Sequence, residues 1–156
     1  MEYQIREIRE SEYEILADFL YEAIYVSKGT DKPPKSIINK PELQVYIENF
    51  GKEDDWCLVA EVKDKIVGAV WVRIMNDYGH IDDETPSFAI AVYEEYRHLG
   101  IGTELMRAML KFLKDKGYKK ASLSVQKANY AVGLYRKAGF EVVDENMEEY
   151  IMVCGL

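Results

Sequence analysis

Residues 86–116 read PSFAIAVYEEYRHLGIGTELMRAMLKFLKDK, and the architecture follows from how this run divides. Ser87 to Val92 is a short apolar run of β-compatible residues, whereas Ile101, Leu105, Ala108, Met109, Phe112 and Leu113 recur at helical spacing as far as Lys116. The pattern predicts a strand that passes through a tight loop into a helix. The loop itself, Arg97-His98-Leu99-Gly100-Ile101-Gly102, has two glycines that let backbone N–H groups approach a ligand closely. A helix N-terminus presents unpaired N–H groups and the positive end of the helix dipole, so the loop reads as an anion cradle, with Arg97 available to add charge. Glycine serving loop geometry alone would give the same letters.

Two nucleotide-binding loops are excluded. The Gly-Lys-Ser/Thr ending of a P-loop is missing, and the dinucleotide spacing Gly-x-Gly-x-x-Gly fails because position 105 is Leu105. Working outward, Ala121 to Gln126 reads as another strand, and the helix between it and Ser87 to Val92 suits a parallel crossover. Asn129 then caps a short helix with Ala131, Leu134, Tyr135 and Ala138 on one face, closed by Gly139. Phe140 to Val143 and Tyr150 to Cys154 make two final strands. Toward the N-terminus, Trp56 to Val62 and Ile66 to Met75 read as a hairpin around Lys63-Asp64-Lys65. Tyr3 to Ile8 is a first strand. Ser11 and Glu14 have capping-box spacing for a helix running to about Tyr25, and a second helix is expected from Pro41 to Phe50, stopped by Gly51. Polar loops fill Gly29 to Pro34 and Asn76 to Thr85. The expected order is βααβββαβαββ, an α/β (α+β) chain with a mixed central sheet of about seven strands and helices on both faces. No repeat or composition break divides it, so 1–156 reads as one domain.

The loop Arg97 to Gly102, together with Asn129-x-Ala131-x-x-x-Tyr135-x-x-x-Gly139-Phe140 in this order of elements, resembles the GNAT superfamily of acyl-CoA-dependent N-acetyltransferases over nearly the whole chain. The resemblance implies acetyl transfer from acetyl-CoA to a primary amine of a small molecule or peptide, by direct attack and without a metal. It implies that the fourth and fifth strands splay, that the backbone of Ile90, Ala91 and Val92 meets the pantetheine arm, and that Arg97, Leu99, Gly100, Ile101, Gly102 and Thr103 hold the pyrophosphate. Asn129 would contact the pantetheine region; a plain helix N-cap explains it equally. Tyr135 would protonate the departing thiolate, the alternative being an aromatic on a buried helical stripe.

One position departs from the family pattern. Relatives often carry a glutamate at the start of the fourth strand, where this chain has Ser87, which leaves open the base that deprotonates the amine. Glu84 is the nearest carboxylate, followed by Asp83, with His80 as an outsider. A solvated acidic loop is the competing account of Asp82 to Glu84. The family's acceptor pocket would be lined here by residues such as Phe19, Tyr21, Tyr25, Tyr46, Trp71 and Arg73, with Asp83 at its edge. Arg73 within a strand requires a partner, either a substrate carboxylate or a neighbouring Asp or Glu. The missing glutamate also admits a different class of function, a catalytically silent acyl-CoA-binding sensor or interaction module, or a relative using another acyl group.

Composition sets the remaining bounds. With 48% hydrophobic and 31% charged residues the chain is ordinary globular material. A net charge of −8 disfavours nucleic acid and anionic membrane and favours a cationic partner such as an amine. No signal peptide or membrane-length apolar run is visible, which with two isolated cysteines, Cys57 and Cys154, read as buried reduced thiols, predicts a cytoplasmic protein. The exposed final strands are compatible with a homodimer.

Overall fold

The computed structural model of the chain describes residues 2–156. Seven strands form a single sheet in the order β1-β2-β3-β4-β5-β7-β6. They are β1 (Gln4–Glu7), β2 (Trp56–Val62), β3 (Lys65–Arg73), β4 (Ser87–Val92), β5 (Lys120–Gln126), β6 (Glu141–Glu145) and β7 (Glu149–Gly155). The helices are α1 (Leu16–Ala23), α2 (Pro41–Gln44), α3 (Ile101–Lys116) and α4 (Ala131–Ala138). This is the expected order of elements.

Both faces of the sheet are covered, which is why its central strands read as nearly continuous apolar runs. On β2, β3 and β5 the side chains of Leu58, Ala60, Val70, Val72, Leu123 and Val125 face α3, whose Leu105, Met109 and Leu113 are fully buried against them. The alternate side chains Cys57, Val59, Ala69 and Trp71 face α1 through Leu16, Phe19 and Leu20.

All neighbouring strands are antiparallel except β4 and β5. Those two are parallel and meet at one position, Ser87 opposite Ser122, where the Ser122 N–H donates to the Pro86 carbonyl at 3.0 Å. Beyond it they part. Pairing with β3 continues along β4 to Val92 opposite Gly68. Because backbone groups alternate in direction along a strand, the N–H and C=O of Ile90 point away from β3, into a gap with no strand to receive them. The backbone of Ala91 instead pairs with Ala69, so Ala91 offers the gap only its methyl group.

Two expected helices are rearranged, each for a visible reason. Ser11 and Glu14 do not open the first one. Residues Glu10–Ile15 form a 3-10 helix, and its first turn is closed by Glu12, whose Oε1 accepts the Arg9 N–H at 2.8 Å while both carboxylate oxygens accept from Arg6 at 2.9 and 2.8 Å. The second helix stops at Gln44 rather than Phe50. The Val45 and Glu48 carbonyls accept from the Arg73 guanidinium at 3.0 and 2.9 Å, and the Tyr46 carbonyl from the Trp71 indole at 3.0 Å. Carbonyls turned toward β3 in this way cannot all lie along a helix axis.

Candidate active site

The gap between β4 and β5 opens into a cavity of about 800 Å³, walled by the end of α1, the start of α3 and the first turn of α4. Ile90, Ala91, Val92, Arg97, Gly100, Gly102, Thr103, Asn129 and Tyr135 all line it, as do Tyr21 and Tyr25. Residues far apart in sequence are brought to one place by the splay.

Gly100 takes a left-handed conformation at φ 86° and caps α3. Such a turn suits glycine, since other residues meet their own Cβ there. The first backbone bond of the helix runs from the Glu104 N–H to the Gly100 carbonyl, so the N–H groups of Ile101, Gly102 and Thr103 have no partner inside the helix. A Cβ added to Gly102 would come no closer than 3.9 Å to Val92 Cγ2. The fold therefore has room for a side chain at 102, and that side chain would intrude on the anion cradle. These features fit a phosphate-bearing ligand. Leu99 is 51% exposed and the Ile101 side chain is buried in the core, so both can contribute only through their backbones.

Arg97 does not project freely into the cradle. Its Nε donates to the Val92 carbonyl at 2.8 Å and an Nη donates to Glu22 Oε2 at 3.2 Å. The guanidinium thereby ties the loop to the end of β4 and to α1, and Glu22 offsets its charge. Other cations on this wall come from Lys28 and Lys32 in the loop after α1.

Across the cavity, Asn129 Oδ1 accepts the Ala131 N–H at 2.9 Å, closing the turn that leads into α4, whose N-cap position is Tyr130, while Asn129 lines the gap. Tyr135, half-buried, packs edge-on against Phe140 at 6.0 Å. Burial pushes its phenol up to about 12, which keeps it protonated throughout the neutral range. The Tyr25 hydroxyl donates to the Ala128 carbonyl at 3.3 Å, bridging the end of α1 to the connection between β5 and α4, and the Tyr21 hydroxyl donates to the Pro33 carbonyl at 2.6 Å.

The other expected acceptor-side residues are not brought to the cavity: Phe19 is wholly buried in the core, and the Tyr46 hydroxyl is turned to Asp77. Trp71 is wholly buried beneath α1. Arg73 is paired with Asp55 at 3.0 Å, both side chains 5% exposed or less, and its other donors are taken by carbonyls. A neighbouring aspartate, not a substrate, is its partner. Asp83 is 96% exposed, 3.5 Å from His80, and Glu84 is also exposed, its N–H closing a turn on Asp82. The carboxylate that does reach β4 is Asp77, from the same loop. Its Oδ1 accepts from Ser87 Oγ at 3.0 Å and its Oδ2 from the Tyr46 hydroxyl at 3.1 Å. In the sequence nothing separates Asp77 from Asp82, Asp83 and Glu84.

The acetyltransferase (GNAT) family profile matches residues 7–140. The chain belongs to that family. Among curated proteins, the N-alpha-acetyltransferase of Sulfurisphaera tokodaii is 33% identical over 107 residues, covering 63% of this chain and 64% of that protein. The probable N-acetyltransferase camello of Xenopus tropicalis is 35% identical over 107 residues, 67% of this chain and 47% of its own. The chain thus matches less than two-thirds of the length of these relatives. Among solved structures, the PaiA N-acetyltransferase of Thermoplasma acidophilum, crystallised with coenzyme A, superposes over all of both chains with a TM-score of 0.71 at 22% identity. A spermidine N-acetyltransferase SpeG chimera from Vibrio cholerae superposes over 99% of this chain and 96% of its own, at a TM-score of 0.67 and 18% identity. The shared fold includes the whole sheet of this GNAT chain.

Proposed function

We propose that residues 1–156 form a single acyl-CoA-dependent N-acetyltransferase domain that transfers an acetyl group from acetyl-CoA to a primary amine of a small molecule or peptide. The observation that carries this reading is the convergence on one cavity of the unpartnered amides of Ile101 to Thr103, the open backbone edge of Ile90, and Tyr135. The amides at the start of α3 would hold the pyrophosphate and Ile90 the amide-bearing arm, with Asn129 and the Ala91 methyl bordering it. Acetyl-CoA supplies an activated thioester. Tyr135, protonated at neutral pH, is suited to give a proton to sulfur as the thiolate departs. Tyr21 and Tyr25 would border the acceptor, and relatives named for N-alpha-acetyl transfer make a peptide amine one candidate acceptor.

The free thiols Cys57 and Cys154, both buried, are in keeping with a cytoplasmic protein. Among the described residues no helix is long and apolar enough to cross a membrane. The edge strand β6, with Val143 exposed, offers a surface for a homodimer.

Calorimetry with acetyl-CoA, followed by thiol release with a panel of amines (a peptide bearing a free α-amine, spermidine, lysine), tests the assignment. Saturable binding and amine-dependent thiol release are expected. Absence of binding at millimolar acetyl-CoA would sink it. Binding without thiol release would leave an acyl-CoA sensor instead.

A further inference from the structure

We propose that Asp77, held by Ser87 and Tyr46 at the closed end of the gap between β4 and β5, is the base that takes the proton from the acceptor ammonium. This rests on the acetyltransferase reading and adds to it the base.

Three observations converge. First, the loop 76–85 is locked onto the point where β4 and β5 part. Ser122 Oγ donates to the Gly79 carbonyl at 2.8 Å, and a Cβ on Gly79 would stand 3.1 Å from the Ser124 amide, so a side chain there would press the loop away from β5. Second, Asp77 is fixed by two hydroxyl donors, one of them Ser87 at the first position of β4. Ser87 lies on the same face of β4 as Ala89 and Ala91, two residues and about 6.6 Å before Ala89 at roughly 3.3 Å per residue. The first β4 residue that lines the cavity, Ile90, lies three residues or about 10 Å beyond Ser87 at roughly 3.3 Å per residue, and a chain of waters along the strand would carry the proton. Third, among the described residues Asp77 has no cationic partner, its carboxylate oxygens being taken by hydroxyls.

The surrounding groups bear this out element by element. Arg73, opposite Ser87 on β3, is committed to Asp55 and to the carbonyls of Val45 and Glu48. From the segment after α2 comes Tyr46, whose phenol burial pushes well above the ordinary tyrosine range, so it is a neutral donor. On β7, Glu149 lies on the same face and is half-buried, and it adds negative charge toward Tyr46. His80, in the loop itself, turns its Nε2 toward Asp83, and its buried Nδ1 has no partner. From β5 come Ser122 and Ser124, both uncharged. Burial holds the Asp77 carboxyl above the usual aspartate range, against the pull of the Ser87 and Tyr46 hydrogen bonds. A carboxylate of this kind gains from a cation beside it, and an ammonium acceptor is that cation.

The step balances as follows. The ammonium gives one proton through water to Asp77, which later returns it to solvent. The freed lone pair bonds to the thioester carbon, the C–S bond breaks, and the thiolate takes a proton from Tyr135. The nitrogen's second surplus proton passes through solvent to the Tyr135 phenolate, so one amide, one free thiol and one solvent proton result.

The test uses the full chain, acetyl-CoA and whichever amine of the panel the wild type acetylates, read as pH profiles of kcat/KM beside calorimetric acetyl-CoA affinity. Asp77→Asn should lower kcat/KM at pH 7 by about 10²-fold, with residual activity climbing toward the pKa of the amine itself, and acetyl-CoA affinity unchanged. Ser87→Ala removes a hydrogen bond that stabilises the charged carboxylate, so the acidic inflection should move to higher pH, a displacement that a packing role would not produce. Glu84→Gln should match the wild type. A wild-type profile in Asp77→Asn, an unmoved inflection in Ser87→Ala, or a flattened profile in Glu84→Gln overturns the proposal. Should Asp77→Asn fail to fold, Ser87→Ala decides alone. A wild type that binds acetyl-CoA yet acetylates no amine removes the transferase reading, and this proposal with it, whereas the variant outcomes bear on Asp77 only.

Discussion

The two sides of the cleft are built by different means. On the side proposed for acetyl-CoA, from β4 through α3 to α4, the open groups are backbone amides and carbonyls whose direction is set by local conformation: the left-handed turn at Gly100, the first turn of α3, the unpaired edge at Ile90. Around the start of β4, where the proposed base lies, the groups are side chains, Tyr46, Asp77, Ser87 and the neighbouring Arg73, each held by a partner at least ten residues away in sequence. A site made of backbone tolerates sequence change as long as the turn survives. One made of interlocked side chains does not, so replacements on the two sides should fail in different ways.

The largest effect is expected on the donor side without loss of fold. Gly102→Glu places a carboxylate among the amides at the start of α3, and acetyl-CoA binding should disappear in calorimetry while the melting temperature stays near that of the wild type. A variant that binds as before would mean that the cradle is not where the phosphates sit. On the acceptor side the contrast is Arg73→Met, which strands the buried Asp55 charge and frees the carbonyls of Val45 and Glu48. Removing one member of a buried pair costs about 3–5 kcal/mol, to be read from urea unfolding. A loss below 1 kcal/mol would undo the claim that this side is held by its side chains.

Tyr135→Phe sharpens the comparison from within the donor side, because here a side chain rather than backbone is expected to act. Turnover should fall about 10²-fold with stability and acetyl-CoA affinity retained. Wild-type kcat would reduce Tyr135 to a packing residue beside Phe140.

The smallest effect concerns Glu12, below the acceptor side, where the Arg6 guanidinium holds the carboxyl down at about 2 against an ordinary 4.5. A depressed folded-state pKa adds stability above pH 4.5 that fades as the pH falls toward 2. Glu12→Gln should therefore be less stable than the wild type at pH 7, and the difference should shrink as acid is added. A gap that stays constant with pH would assign Glu12 only a hydrogen-bonding role at Arg9.

The same division decides how much could be read in advance. The strand, loop and helix of 86–116, the capped helix after Asn129, and the glycines at 100, 102 and 139 are local signals, and the elements they announce are present. Trp71 and Arg73 looked like acceptor-pocket residues because an aromatic and a cation within a strand carry no mark of which face they take; Tyr46 and Asp55, which claim them, lie 25 and 18 residues away. Glu84 is singled out by its closeness to β4 along the chain, a criterion that passes over Asp77. The turn at Asp77 to His80, closed by the His80 N–H on the Asp77 carbonyl at 3.1 Å, folds the more distant residue inward.

By itself the sequence determined the order of elements, the anion cradle at Gly100 to Thr103 and the candidacy of Tyr135, because periodicity, glycine conformation and helix-end amides act over a few neighbouring residues. Tertiary structure alone decided that β4 and β5 meet only at Ser87 and Ser122, that Arg97 is tethered by Glu22, and that Asp77 is the carboxylate bonded to Ser87 at the start of β4. Those outcomes depend on which surfaces exclude water from one another once the sheet is covered on both faces. Burial of that kind sums over the whole chain and leaves no local trace in the sequence.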